Sequence, residues 1–211
     1  MNLSDNVILQ ELKTSRIVID PFIPKHLNPN SVDLTLAPEC KVYKRKFRYT
    51  WLPSLVPNGQ RFAAKLTWKG FRYEEPLDVR KDNPTEEITI PEIGYVLVPG
   101  EVYLYRVNER IGVKDNIRAK VEGKSSLGRL GLFIHVTAGF IDTGFEGSLV
   151  LELVATRPIR IYPNQKVCQI EFTRVEGVVN VSYDQKSGSK YHNQIGVQSS
   201  KMHQNFEEVA A

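Results

Sequence analysis

The chain has 211 residues, 41% of them hydrophobic, and carries a formal charge of +4. That is enough for one domain with a real core, and the mild positive charge suits a small anion at least as well as nucleic acid. No basic run, zinc-finger spacing or recognisable RNA-binding motif supports nucleic-acid binding, and no 18-residue apolar run supports a membrane span.

In chain order, residues 4–14 predict a helix, with Ser4 as N-cap and Val7, Ile8, Glu11 and Leu12 at helical spacing. The opening MNLSDNVILQ lacks a basic region followed by an apolar run, so no secretory leader is expected and the chain reads as cytoplasmic. Two cysteines, Cys40 and Cys168, are then expected as free, buried thiols. Ile17 and Ile19 predict a short strand. Ser31 to Leu36 alternates Val32, Leu34 and Leu36 against Ser31, Asp33 and Thr35, the pattern of a half-buried strand. For Asp33, a capping or turn role is favoured over a part in a neighbouring subunit's site.

Residues 44–88 hold both tryptophans and many lysines and arginines. Asn58-Gly59 predicts a two-residue hairpin between KFRYTWLPSLVP and QRFAAKLTW. The segment reads as a β-hairpin insertion in a single domain spanning 1–211, packed locally or against a neighbour rather than serving as a nucleic-acid surface. Short strands return at Ile88–Ile90, Tyr95–Val98, Val102–Val107, Ile117–Val121, Ile159–Ile161 and Val167–Phe172, punctuated by Pro-Gly, Asp-Asn and Pro-Asn. Many short strands with turns between them predict a mainly β fold, a jelly roll or β-sandwich.

Small, polar and charged residues are densest between Val121 and Leu153. Lys124, Ser125 and Ser126 lie between Gly123 and Gly128, and Arg129 follows. Donors with fixed positive charge make a plausible oligophosphate cradle, though the Walker A spacing is absent. Asp142 sits among glycines in a turn. On a strand, Val150, Glu152 and Val154 share the face opposite Leu149, Leu151 and Leu153. Glu152 is then either an exposed strand carboxylate or a general acid–base group in a pocket with a raised pKa. His135, among Phe133, Ile134 and Val136, reads as a structural histidine on a strand, hydrogen-bonded at the turn. From Gly177 the chain turns polar and reads as a mobile tail over 177–211.

These residues carry a resemblance. EGKSSLGRLGL followed by H-x-T-AGFID-x-GF-x-G-x-x-x-LEL resembles the signature of the dCTP deaminase family, within the superfamily of trimeric dUTPases. The stretch Gly188 to Gln194, the run Ser31 to Leu34 and the pair Pro99-Gly100 resemble that family too. The match is strong over about 90–211, fair over 1–43 and absent over roughly 44–88.

The resemblance implies a distorted jelly-roll, dUTPase-like fold and a homotrimer with active sites between subunits. It implies dCTP as substrate, with Mg²⁺ on its triphosphate. Glu152 would shuttle protons as water attacks C4 of cytosine, with Ser125 and Arg129 holding the water. Lys124, Ser126 and Ala138 would contact the substrate, and Val150 and Leu151 would read the pyrimidine partly through the backbone. Phe145 would pack on the deoxyribose. Gln169, Tyr183, Lys190 and Gln194 would hold the triphosphate as the tail closes. Asp142 would contact the sugar or activate water at the α-phosphate. Family members that turn dCTP into dUMP resemble this chain at Gly139 and Phe140, where deaminase-only members carry larger polar or basic residues. A deaminase yielding dUTP, a dUTPase alone and a non-catalytic nucleotide-binding regulator are the alternatives. Zinc-dependent deaminases use H-x-E and P-C-x-x-C patterns that this chain lacks, so no zinc is expected.

Overall fold

The computed structural model describes residues 1–57 and 64–207, with side chains outside 47–73. The elements in order are α1 (Asp5–Lys13), β1 (Ile17–Asp20), a 3₁₀ turn (Pro24–His26), β2 (Leu27–Asn28), β3 (Ser31–Tyr43), β4 (Phe47–Pro57), β5 (Ala64–Glu74), β6 (Thr85–Thr89), β7 (Tyr95–Leu97), β8 (Tyr103–Val113), β9 (Ile117–Gly123), α2 (Ser125–Gly128), β10 (Leu132–Phe133), β11 (Phe140–Ile141), β12 (Glu146–Ala155), β13 (Ile159–Ile161), β14 (Lys166–Arg174) and α3 (Gln204–Glu207). The mainly β, antiparallel jelly-roll expectation holds, with a short N-terminal helix in front.

Two units divide the described chain: residues 1–42 with 85–199, and Tyr43–Pro84 with the chain from Ser200. In the first, one antiparallel sheet runs β10-β12-β8-β3-β14-β9-β11, with β1 on β8 and both β2 and β6 on β3. Alternation along the strands fills its core. Leu34 and Leu36 on β3, Tyr105, Val107 and Ile111 on β8, Leu151 and Leu153 on β12 and Phe172 on β14 are all buried. Helix α1 covers part of this core with Ile8 and buries Glu11 beside it. The Glu11 carboxylate is held by Arg16 at 2.6 Å and by Arg174. Ser4 stands at the helix N-cap as predicted, its carbonyl accepting from the Ile8 N–H at 2.8 Å, but its side chain makes no cap bond.

β3 departs from the half-buried pattern: Ser31 through Ala37 are buried on both faces. The polar face is tolerated because it is bonded. The Thr35 N–H and hydroxyl both donate to the buried Glu109 carboxylate, at 3.0 Å and 2.8 Å. Asn108 donates to the Thr35 hydroxyl at 2.9 Å.

In the second unit β4 and β5 pair antiparallel from Phe47↔Glu74 to Pro57↔Ala64, the expected hairpin. The two-residue turn predicted at Asn58-Gly59 falls outside the described residues.

Candidate functional site

The sequence-predicted residues fall in three places. The first is the junction of β9 and α2. Lys124 follows the last strand residue as the N-cap of α2, and Ser125, Ser126 and Arg129 follow as exposed residues in and just after α2. Lys124 is anchored from below. Its ammonium donates to Asp33 Oδ1 at 2.6 Å, while Lys166 donates to Asp33 Oδ2 at 2.8 Å and Asn28 to Oδ1 at 3.2 Å. Burial alone raises the Asp33 pKa, but the two lysine bonds outweigh it and hold the carboxyl below its ordinary range. The favoured turn role for Asp33 is therefore corrected. It lies within a strand, 4% exposed, as the counter-charge of two lysines. Gln169 on β14 joins the same cluster, opposite Asp33 in register, and donates to the Gly123 carbonyl at 3.4 Å. The buried His26 faces the same charges; burial and Lys166 lower its pKa.

The second place is the outer face of β12. Alternation holds from Val150 on: Leu151 and Leu153 are buried while Val150, Glu152 and Val154 are half-buried opposite them. Leu149, predicted on the buried face, is only half-buried, where the register shifts between Ser148 and Val150. Glu152 is paired with Leu104 of β8. Its Oε2 accepts from the Val136 N–H at 3.4 Å. Burial raises its pKa above 4.5, against smaller opposing effects of that bond and of His135. This is the environment that a carboxylate exchanging protons near neutrality requires.

His135 corrects another expectation. It lies in the loop between β10 and β11, not on a strand, and its buried Nδ1 has no hydrogen-bond partner among the described residues. Its ring stands against Gly139, where a Cβ would come within 3.0 Å of Nε2. Ala138 is exposed in the same loop, and Phe140 on β11 carries the Arg118 guanidinium 4.7 Å above its ring.

The third place is the turn into β12. Asp142 is exposed, while Thr143 is buried with its hydroxyl on the Ile117 carbonyl at 2.9 Å. A cavity of about 300 Å³ opens beside Asp142, with Arg118, Phe140, Tyr183 and Lys186 among its walls. Phe145 is buried and meets the Tyr183 ring, 5.9 Å between centroids. Gln194 donates to the Ser148 carbonyl at 2.5 Å. Lys190 is half-buried between these two tail residues.

Within one chain, then, Lys124 and Gln169 come together, as do Phe145 with Tyr183 and Gln194 with β12. Among the described residues no hydrogen bond ties Glu152 to Ser125 or Arg129. Sequence reasoning missed Lys166 as the second cation on Asp33. The signal was faint: a lysine at the head of β14, two residues before a buried cysteine.

A family model described as dCTP deaminase-like matches residues 2–51 and 59–175. This corrects the expectation that the resemblance is absent over 44–88, because the match takes in 44–51 and 59–88. A protein of Clostridium botulinum strain Eklund 17B named "dCTP deaminase, dUMP-forming" is 40% identical over 207 residues, 98% of this chain and 99% of that one. A protein of the same name from Leptospira biflexa is 38% identical over the same shares. Among solved structures, the 2'-deoxycytidine 5'-triphosphate deaminase of Agrobacterium tumefaciens is similar in fold, with a TM-score of 0.56 at 22% identity. That likeness covers 85% of this chain and 50% of that one.

Proposed function

Because the chain belongs to the dCTP deaminase-like family, we propose that it converts dCTP and water to dUMP, ammonia and diphosphate at one site. The observation that carries this reading is Glu152: a half-buried carboxylate with a raised pKa, on the open face of a strand whose other face is core.

The chemistry follows from that placement. Water adds to C4 of cytosine, and Glu152 takes one of its protons and passes it to N3. The second water proton travels by the same carboxylate to the exocyclic amine. The C4–N bond then breaks, ammonia leaves and a uracil carbonyl remains. Ser125 and Arg129 hold the water and stabilise the developing charge. In the second step water attacks the α-phosphorus, the bond to the bridging oxygen breaks and diphosphate departs, with Asp142 orienting that water. The exposed position of Asp142 beside an open cavity supports this role. The resemblance of Gly139 and Phe140 to the dUMP-forming members supports this second step.

Lys124, Ser126 and Gln169 bind the triphosphate, and Tyr183, Lys190 and Gln194 complete it from the tail. Val150 and Leu151 face the pyrimidine through their backbone, Ala138 lines its approach, and Phe145 backs the deoxyribose. A Mg²⁺ ion carried on the triphosphate fits this side. Both Asp33 oxygens are engaged by lysines, and among the described residues no three His, Cys, Asp or Glu side chains stand together to cage an ion. When bound there, the ion neutralises phosphate charge.

The chain then works as a homotrimer with its active sites between subunits, as its resemblance to the trimeric dUTPase superfamily implies. In this reading 1–211 acts as one domain, in the cytoplasm. The 44–88 segment elaborates it, and the tail from 177 closes over the site.

The test is a time course with purified protein, dCTP and Mg²⁺ that separates dCTP, dUTP, dUMP and diphosphate. Formation of dUMP and diphosphate without dUTP build-up is expected. Accumulating dUTP reduces the activity to deamination, and no turnover of dCTP removes the reading.

A further inference from the structure

The C-terminal segment from Ser182 to Gln194 leaves from and returns to a single turn. At its start the Tyr183 N–H donates to the Thr143 carbonyl at 2.8 Å. At its end the Asn193 N–H donates to the Glu146 carbonyl at 2.7 Å, and the Ser148 N–H donates to the Gln194 carbonyl at 2.9 Å. The Gln194 side chain also bonds the Ser148 carbonyl. Inside the loop the Ser189 hydroxyl donates to the Tyr183 carbonyl at 2.5 Å and the Tyr191 N–H to the Tyr183 hydroxyl at 3.3 Å.

Two glycines permit these approaches. Gly144 has φ +90°, and a Cβ there would stand 2.8 Å from Ser182 Cβ and 2.9 Å from the Tyr183 nitrogen. A Cβ on Gly147 would stand 3.1 Å from the Gln194 nitrogen and 3.2 Å from its carbonyl oxygen. At Gly147 the two closest neighbours are backbone atoms, which cannot swing aside as a flexible side chain does, whereas at Gly144 the Asp184 carboxylate also crowds the site. Between the glycines, Glu146 binds Arg110 at 3.1 Å and Lys114 at 3.3 Å, and Arg110 reaches on to the Asn193 side chain at 3.2 Å. The buried Gln194 Oε1 has no hydrogen-bond partner among the described residues.

We infer that Gly144–Ser148 is the seat of the C-terminal segment. Gly144, Glu146, Gly147 and Arg110 are positioning residues for Tyr183, Lys190 and Gln194. The inference rests on the reading that those three meet the substrate. The seat continues along β12 into Glu152, four residues after Ser148, so one strand sets both the carboxylate and the tail.

The test uses the full chain with Gly147→Ala and, separately, Arg110→Gln. Hydrogen exchange is followed in peptides covering 182–194, and dCTP kinetics are measured alongside. Exchange at the tail amides is expected to rise roughly tenfold or more in both variants, while β8 and β9 stay protected. KM for dCTP is expected to rise about tenfold, with kcat changed less, because a misplaced positioning group weakens productive binding. Arg110 lies at the surface of the sheet, so its variant retains the fold if Gly147→Ala does not. Tail protection equal to that of the unmodified chain overturns the inference. Lost protection with unchanged KM keeps the seat but removes the tail residues from the substrate site, which overturns the positioning role.

Discussion

The Lys124 ammonium and the Asp33 carboxylate, 91 positions apart in the chain, stand 2.6 Å from each other. The same carboxylate takes Lys166 on its other oxygen, so a single buried negative charge holds two cations at the foot of α2. Lys124 thereby faces the proposed triphosphate site from a fixed position rather than from a free four-carbon arm.

Asp33→Ala is expected to leave two lysines facing each other. The cost should be about 2–3 kcal/mol, below the ~3–5 for losing one partner of a fully buried pair, because both lysines reach solvent. Urea unfolding measures this, and dCTP kinetics should show a raised KM. The unmodified chain has the Asp33 contribution above the ordinary carboxyl value of 3.8 and loses it as pH falls through the lower folded value. An unchanged unfolding midpoint at pH 7 would contradict the anchoring role.

Glu152→Gln keeps the shape of the side chain and removes its proton chemistry. Deamination should fall by about 10²–10⁴-fold while dCTP still binds. In the unmodified enzyme the acid limb of kcat/KM should lie above pH 4.5, because burial raises this carboxyl. Deamination at the original rate would remove Glu152 from the mechanism.

The same substitution has a stability signature of opposite sense. Between pH 4.5 and its raised folded value, Glu152 binds more protons folded than unfolded, so its contribution to stability declines as pH rises. At pH 7.5 the variant is expected to melt higher than the unmodified chain, and the gap should close as pH falls towards 4.5. Parallel melting curves across that range would show that the carboxylate is not desolvated.

Asp142→Ala should separate the two steps. Diphosphate release should drop more than deamination, so that dUTP appears during dCTP turnover. Equal loss of both, measured in one chromatogram, assigns Asp142 to the sugar alone.

Period-two patterning made most of the sheet legible. Leu151 and Leu153 against Glu152 carried both a strand and a candidate catalytic group, and Ile159–Ile161 was placed to the residue. The same rule applied to Ser31, Asp33 and Thr35 pointed the wrong way, because it assigns polar positions to solvent. Their partners, Lys124, Lys166 and Glu109, are far off in sequence, and only the folded sheet reveals them. Glu109 itself was missed although it stands in phase with the buried Val107 and Ile111. His135 was misplaced because apolar neighbours suggested a strand where the chain has a loop.

Cys40 and Cys168 sit in the core at 1% and 0% exposure, and burial lifts the Cys40 thiol to about 12 and the Cys168 thiol further still. A thiol in that condition is nearly blind to alkylating reagents while the chain is folded. The two sulfurs therefore act as a clock for opening of the sheet, one on β3 and one on β14. Slow modification by iodoacetamide would time that opening, and any inactivation that follows would record loss of structure rather than an attack on the chemistry.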